Sequence, residues 1–99
     1  MPLYYHYTDE EGAQNIIRTG RIVASLGFKA TNGDTAFGNG VYLTQLNPKT
    51  STKTEIAMNN WMNTGAQFIN KTKNCFVFDI PESAVEDTGA TGRNIFLLA

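Results

Sequence analysis

The sequence is poor in the residues that build metal sites and disulfides. Its 99 residues include one His and one Cys. A structural zinc site takes four Cys or His ligands, so we expect no such site and no metal in this chain. A single Cys cannot form an internal disulfide, and nothing in the sequence therefore requires an oxidising compartment.

Long apolar runs and an excess of one charge are also missing. No apolar stretch approaches the roughly 20 residues that a membrane helix needs. Residues 1–6 lack the charged and apolar regions of a signal peptide, so the sequence predicts no membrane association. It favours a cytoplasmic protein, or one delivered into a target cell by another route. The net charge of −1 argues against a general nucleic-acid binder, although it does not exclude nucleic acid as a substrate.

What the sequence does contain is an ordinary globular composition. Hydrophobic residues make up 41% of the chain, which is typical of a folded protein rather than a disordered one. The length predicts a single domain over residues 1–99.

Hydrophobic patterning predicts about five strands and two helices. One helix spans Thr8–Thr19, with Thr8 and Glu11 as a capping box and Gly20 as its stop. The other spans Glu55–Asn63 after Thr54, and residues 66–70 fit no single class. Because strands and helices do not alternate strictly, the pattern favours an α+β fold. The predicted strands are Leu3–Tyr7, Arg21–Ser25, Gly40–Thr44, Cys75–Ile80 and Asn94–Leu98.

Two short segments could carry chemistry. His6, the single His, lies at the end of a strand, where it is either a half-buried residue bonded to backbone or part of a site. In the second segment, Gly38 and Gly40 flank an Asn and are followed by Tyr42. They form either a turn or a backbone that passes close to a flat ligand on which the tyrosine stacks. Cys75 opens an apolar strand and is expected to be a packing residue.

Together the two segments, Tyr5-His6-Tyr7-Thr8 and Phe37-Gly38-Asn39-Gly40-Val41-Tyr42-Leu43-Thr44, resemble the ADP-ribosyltransferase superfamily. The closest likeness is to its small toxin-type His–Tyr–acid branch, which is related to the poly(ADP-ribose) polymerases. The resemblance implies a minimal ADP-ribosyltransferase fold, with a split, antiparallel-rich β-sheet core that holds NAD in a cleft.

The resemblance also implies roles for individual residues. It implies that His6 hydrogen-bonds a ribose hydroxyl of NAD and that the Tyr7 backbone holds the nicotinamide carboxamide. It implies that Tyr42 stacks on the nicotinamide ring and that Thr8 both supports His6 and caps the helix.

Further cofactor contacts follow from the same resemblance. Phe37, Gly38 and Gly40 would line the cofactor, with the two glycines allowing the chain to approach the ribose. Arg18 and Arg21 either contact the NAD pyrophosphate or an acceptor, or are cations at the end of a helix, where the helix dipole favours them.

The catalytic acid is where the sequence departs from the family. The last strand begins with Asn94, where the family normally has a carboxylate, and Asn carries no charge to stabilise a cation. The alternative acid is Asp79, which is otherwise a strand-end residue before Pro81.

The resemblance implies an NAD-dependent mono-ADP-ribosyltransferase, acting on a protein or nucleic-acid acceptor or hydrolysing NAD. The alternative is a degenerate module of the same fold that binds NAD, ADP-ribose or a partner without chemistry.

Overall fold

The described part of the chain forms two small antiparallel sheets and three α-helices. A computed structural model describes residues 2–20, 40–89 and 92–98. The elements are β1 (Leu3–Thr8), α1 (Glu10–Thr19), β2 (Val41–Leu43), α2 (Lys53–Trp61), α3 (Ala66–Asn70), β3 (Asn74–Asp79), a 3₁₀ turn (Glu82–Ala84), β4 (Glu86–Asp87) and β5 (Phe96–Leu98). One sheet pairs β1 with β3, and the other has the order β2-β5-β4. This arrangement confirms the predicted α+β class and the split antiparallel core.

Strand β1 is central because it buries side chains on both of its faces. On one face Tyr5 and Tyr7 pack with Ile56 of α2 in the main buried cluster. On the other face the Tyr4 ring meets the ring of Phe96 edge-on, with 5.1 Å between centroids. Aromatic side chains bury large apolar areas, so the run of tyrosines that predicted a strand also supplies much of the core.

Among the described residues, backbone hydrogen bonds link the two sheets through one residue pair. The amide of Tyr5 donates to the carbonyl of Thr44 at 2.7 Å, and the amide of Thr44 donates to the carbonyl of Tyr5 at 2.9 Å. This pair is an isolated bridge, so the ladder between β1 and β2 does not continue on either side of it. The bridge brings the end of β1 beside β2 without closing the space between them.

Helix α1 begins one residue later than its sequence predicts. Asp9 caps it, accepting at Oδ1 from the amide of Gly12 at 2.8 Å, so the predicted Thr8 cap is wrong. Thr8 instead pairs with Asn74 as the last residue of β1, which holds its backbone extended. A carboxylate also suits a helix N-terminus better than a hydroxyl does, because of the helix dipole. Gly20 ends the helix in the left-handed region with φ 72°, as predicted.

Other boundaries differ from the prediction in short segments. Helix α2 is capped by Thr52 rather than Thr54, in a reciprocal capping box with Glu55. Residues 66–70, which fitted no class, form the short helix α3. The two-residue β4 is not among the predicted strands, and β5 is two residues shorter than expected. The predicted strand Arg21–Ser25 lies outside the described residues.

Within the described ranges, no helix is long and apolar enough to cross a membrane.

Candidate functional site

A cleft of about 170 Å³ opens where β1 and β2 part beyond the bridge. Strand β1 contributes its last residues, β2 its middle, and the end of α2 and the residue after α3 form the far wall. The lining residues are His6, Tyr7, Thr8, Asp9, Tyr42, Leu43, Asn60, Trp61 and Lys71.

The His6 imidazole is anchored to β2 by its Nδ1 atom. Nδ1 donates to the carbonyl oxygen of Tyr42 at 3.0 Å. Since a carbonyl can only accept, Nδ1 carries the proton, and Nε2 of the neutral ring is an acceptor. Burial lowers the pKa of His6 below its ordinary value of 6.5, an effect larger than the opposing one of the Tyr42 hydrogen bond. At neutral pH the cleft therefore contains an uncharged imidazole with a fixed tautomer.

Tyr7 can offer a ligand its backbone but little of its side chain. Its ring belongs to the buried cluster, and its hydroxyl donates to the carbonyl of Leu46 at 2.6 Å. In an antiparallel ladder, alternate residues direct their N–H and C=O groups to the same edge. Tyr5 directs both groups to Thr44, the residue after β2, so Tyr7 directs its own towards β2 as well. Because the bridge is isolated, the ladder stops before Tyr7 and Tyr42 pair, and this gap opens into the cleft.

Asp79 does not reach the cleft. It pairs with Leu3 in the β1–β3 ladder, whereas His6 pairs with Phe76. Three residues of strand separate the two positions, which is about 10 Å at about 3.3 Å per residue. Three is an odd number, so the Asp79 and His6 side chains also point to opposite faces of the sheet. Asp79 is exposed, and the structure does not bring it together with His6 and Tyr42.

Asn94 does not line the cleft, but its hydrogen bonds stabilise the segments that form the cleft wall. Its Oδ1 accepts from the amide of Gln45 at 2.7 Å and from the hydroxyl of Thr44 at 3.1 Å. Its backbone amide donates to Oδ1 of Asn59 at 2.6 Å, and Nδ2 of Asn59 donates back to its carbonyl at 2.9 Å. These bonds tie the entry to β5 to the end of β2 and to α2. In the described structure Asn94 is therefore a connecting residue and lies outside the cleft lining.

The neighbouring Arg93 reinforces the same junction. Its guanidinium donates to the carbonyls of Asn59 and Asn60, both at 2.7 Å. These carbonyls lie near the end of α2, where a cation is favoured by the helix dipole. Burial lowers the pKa of Arg93 from its ordinary value. Asn60 lines the cleft, so this arginine helps to fix one of its walls.

Of the two predicted arginine contacts, only Arg18 is among the described residues, and it does not line the cleft. Arg18 is exposed on α1, where its guanidinium donates to Asn15 of the same helix at 2.7 Å. Arg21 lies outside the described residues, as do Phe37 and Gly38.

Gly40 is required by its packing, which is a different reason from the one its sequence suggested. Its φ is 149°, and a Cβ there would approach the carbonyl oxygen of Leu98 to 2.8 Å and Cδ1 of Leu97 to 2.7 Å. Gly40 does not line the cleft, so this glycine lets β5 pack close to β2 and is not a visible ligand contact.

The comparison with known families supports the resemblance. The sequence matches a family model described as an HYD1 signature containing ADP-ribosyltransferase, over residues 4–79. The chain belongs to this toxin-type ADP-ribosyltransferase family. The matched segment includes His6, Tyr42 and Asp79 and stops before Asn94. No curated protein and no solved structure matches the chain.

In this member of the ADP-ribosyltransferase family, four residues besides Leu43 line the cleft without having been given a role in the site by the sequence. Asp9 follows the His6 segment and is the one carboxylate among the described residues that line the cleft. Asn60 and Trp61 come from the end of α2 and Lys71 from the residue after α3, and no motif links them to β1 in the sequence. Trp61 packs against the buried cluster and also lines the cleft.

The remaining chemistry-bearing residues fit structural roles. Cys75 is half-buried beside the Tyr7 cluster, and burial raises the pKa of its thiol, which disfavours the reactive thiolate. Among the described residues, no group of three His, Cys, Asp or Glu side chains could hold a metal ion.

Proposed function

We propose that the cleft binds NAD and that the protein transfers ADP-ribose from NAD to a protein or nucleic-acid acceptor, with release of nicotinamide. The observation that carries this proposal is the gap in the ladder between Tyr7 and Tyr42, beside the neutral imidazole of His6. Membership of the ADP-ribosyltransferase family supports it independently.

The nicotinamide carboxamide suits the gap because of its hydrogen-bonding groups. It offers an amide N–H and a carbonyl oxygen, and the Tyr7 backbone offers one carbonyl and one N–H at an edge where β2 has stopped pairing. The carboxamide would thus take the place of a strand residue. Peptide groups left unpaired near a buried strand are costly, so a ligand that satisfies them gains affinity from the fold itself.

His6 and Tyr42 would hold the rest of the nicotinamide nucleotide. The Nε2 acceptor of His6 suits a ribose hydroxyl, which donates one proton. The Tyr42 ring lines the cleft and would stack on the nicotinamide ring. His6 binds the backbone of Tyr42 rather than its hydroxyl, so the two side chains can act on the ligand separately.

The reaction itself breaks the bond between the ribose C1′ and the nicotinamide nitrogen. The bonding electrons leave with nicotinamide, which becomes neutral, and positive charge develops on the ribose. An acceptor atom then forms a bond to C1′ and loses its proton. The protein contributes by holding the reacting groups in place and by placing negative or dipolar groups near the developing charge.

Turnover depends most on a group that stabilises the positive charge developing on the ribose, and neither sequence candidate for that group lines the cleft. A catalytic Asp79 has to act from the opposite face of its sheet, about 10 Å along the strand from the register of His6. A catalytic Asn94 has to release Gln45 and Thr44 first. This geometry favours a second candidate function, in which the domain binds NAD or ADP-ribose without transferring it.

One experiment separates the two functions. The protein is incubated with radiolabelled NAD, alone and with cell lysate, and NAD binding is measured in parallel by calorimetry. Release of nicotinamide or transfer of label that is lost in His6→Asn supports the transferase. Binding without turnover supports the binding module, and a folded protein that binds neither NAD nor ADP-ribose in the calorimeter refutes both.

A further inference from the structure

The cleft is too small for a whole dinucleotide. At about 170 Å³ it is well below the roughly 300–1,000 Å³ that usually encloses a small-molecule ligand. A second depression of about 450 Å³ adjoins it and shares two of its lining residues, Asp9 and Lys71. If nicotinamide fills the cleft, the remainder of NAD has to leave past these two residues.

Lys71 stands at this junction with its side chain already held in place. Its backbone caps the end of α3, donating to the carbonyl of Phe68 at 3.1 Å. Its ammonium lies over two rings, 5.6 Å from the centroid of Trp61 and 5.4 Å from that of Phe68. Such cation–π contacts restrict a long side chain that would otherwise lose much entropy on binding a ligand.

The charged side chains around the junction favour Lys71 as the partner of an anion. Lys71 is the one cation lining the cleft within the described ranges, whereas the adjoining depression also contains three carboxylates, those of Asp9, Glu10 and Glu11. Asp9 is engaged by the amide of Gly12, and Glu10 by the side chains of Gln14 and Asn74. The depression contains a second cation, Lys73, which does not line the cleft, so an anion at the junction itself would be repelled by Asp9 and attracted by Lys71.

We propose that Lys71 binds the pyrophosphate of NAD and makes the cleft selective for the dinucleotide over phosphate-free nicotinamide compounds. This inference rests on the proposed function, because it takes nicotinamide to occupy the cleft. The pyrophosphate of NAD carries two negative charges, and a lysine ammonium is a common partner for phosphate groups.

The test compares two ligands that share the nicotinamide ribose. NAD contains the pyrophosphate, and nicotinamide riboside does not. In Lys71→Met, calorimetry should show NAD affinity falling by roughly 10–100-fold, the usual range for a charge-assisted contact. The affinity for nicotinamide riboside should stay within about twofold, because this ligand has no pyrophosphate for Lys71 to contact. Lys71→Arg should keep most of the NAD affinity.

Lys49→Met is the matched control. Lys49 is exposed and lines neither the cleft nor the adjoining depression, and the substitution changes the net charge equally. Equal losses of NAD affinity in the two methionine variants, or unchanged affinity in Lys71→Met, would overturn the proposal. So would an equal loss of both ligands in Lys71→Met, which would indicate a packing role. Failure of the proposed function looks different, because the unmodified protein then binds neither ligand.

Discussion

Three substitutions of His6 should separate its structural role from its ligand-binding role. An asparagine has an amide nitrogen close to the position of Nδ1 and can still donate to the Tyr42 carbonyl, but it has nothing at the position of Nε2. A glutamine reaches the Nε2 position and loses the donor at Nδ1. Alanine loses both groups. Nδ1 of His6 binds the Tyr42 carbonyl, and Nε2 is proposed to bind the ligand. The variants should therefore differ in whether they lose stability, NAD affinity or both.

The expected magnitudes follow from the bond that each variant keeps. In His6→Ala the Tyr42 carbonyl loses its partner, which should lower the free energy of unfolding by about 1–3 kcal/mol. His6→Asn should lose less than about 1 kcal/mol of stability, since it retains a donor there. Its affinity for NAD should still fall by about 2–10-fold, the value of one hydrogen bond to a ribose hydroxyl. His6→Gln should lose more stability than His6→Asn but less NAD affinity.

The pH dependence adds a second signature. Burial lowers the pKa of His6 in the folded state below 6.5, so below that pH the unfolded chain binds more protons than the folded one. Stability is then fully present above pH 6.5 and is lost as the pH falls towards the folded pKa, by at most about 1.4 kcal/mol per pH unit. His6→Asn should lack this contribution.

Urea unfolding gives the stabilities, and calorimetry gives the NAD affinities. The single Trp lines the cleft and is a convenient fluorescence probe for unfolding. The reasoning is refuted if folded His6→Asn binds NAD as tightly as the unmodified protein. It is also refuted if His6→Asn and His6→Ala are equally destabilised.

Three other changes test neighbouring parts of the site. Tyr42→Ala should weaken NAD binding by about 1–3 kcal/mol if the ring stacks on nicotinamide. Tyr42→Phe should keep an NAD affinity close to that of the unmodified protein. Equal affinities of the alanine and phenylalanine variants in calorimetry would contradict stacking. Gly40→Ala should destabilise the fold by about 1–3 kcal/mol, because its φ of 149° and the nearby Leu98 carbonyl leave no room for a Cβ; an unchanged urea midpoint would show that the strands can move apart. Asp79→Asn should leave any NAD turnover within about twofold, since a carboxylate about 10 Å along the strand contributes little; a large drop in nicotinamide release would assign the catalytic acid to Asp79.

The parts of the fold that could be predicted are those with strong local signals. The tyrosine-rich β1, the stop of α1 at Gly20 and the apolar β3 all follow from residues close together in the chain. The cap of α1 could not be chosen correctly, because Thr8 and Asp9 are both good caps. Strand pairing with β3 decides between them by keeping Thr8 in the ladder.

Only part of the site could be predicted from the sequence, because the recognisable patterns are local. His6 and Tyr42 belong to motifs, and the structure brings them within one hydrogen bond. Asn60, Trp61 and Lys71 reach the same cleft only through the packing of α2 and α3, which no local pattern encodes. Asp79 was a candidate as an acid on the strand before the last one, and its register and its face could be known only after β1 and β3 were aligned.

The junction around Asn94 bears on when the cleft can form during synthesis. Strand β5 completes the sheet that contains Tyr42, and Arg93 and Asn94 fix the ends of α2 and β2. A ribosome makes these residues some 50 positions after Tyr42. A nascent chain stopped before residue 93 would contain His6 and Tyr42 yet lack the bonds that hold their surroundings in place. We therefore expect ligand-binding ability to arise late, after the segment 93–98 has left the ribosome, rather than gradually as the chain grows.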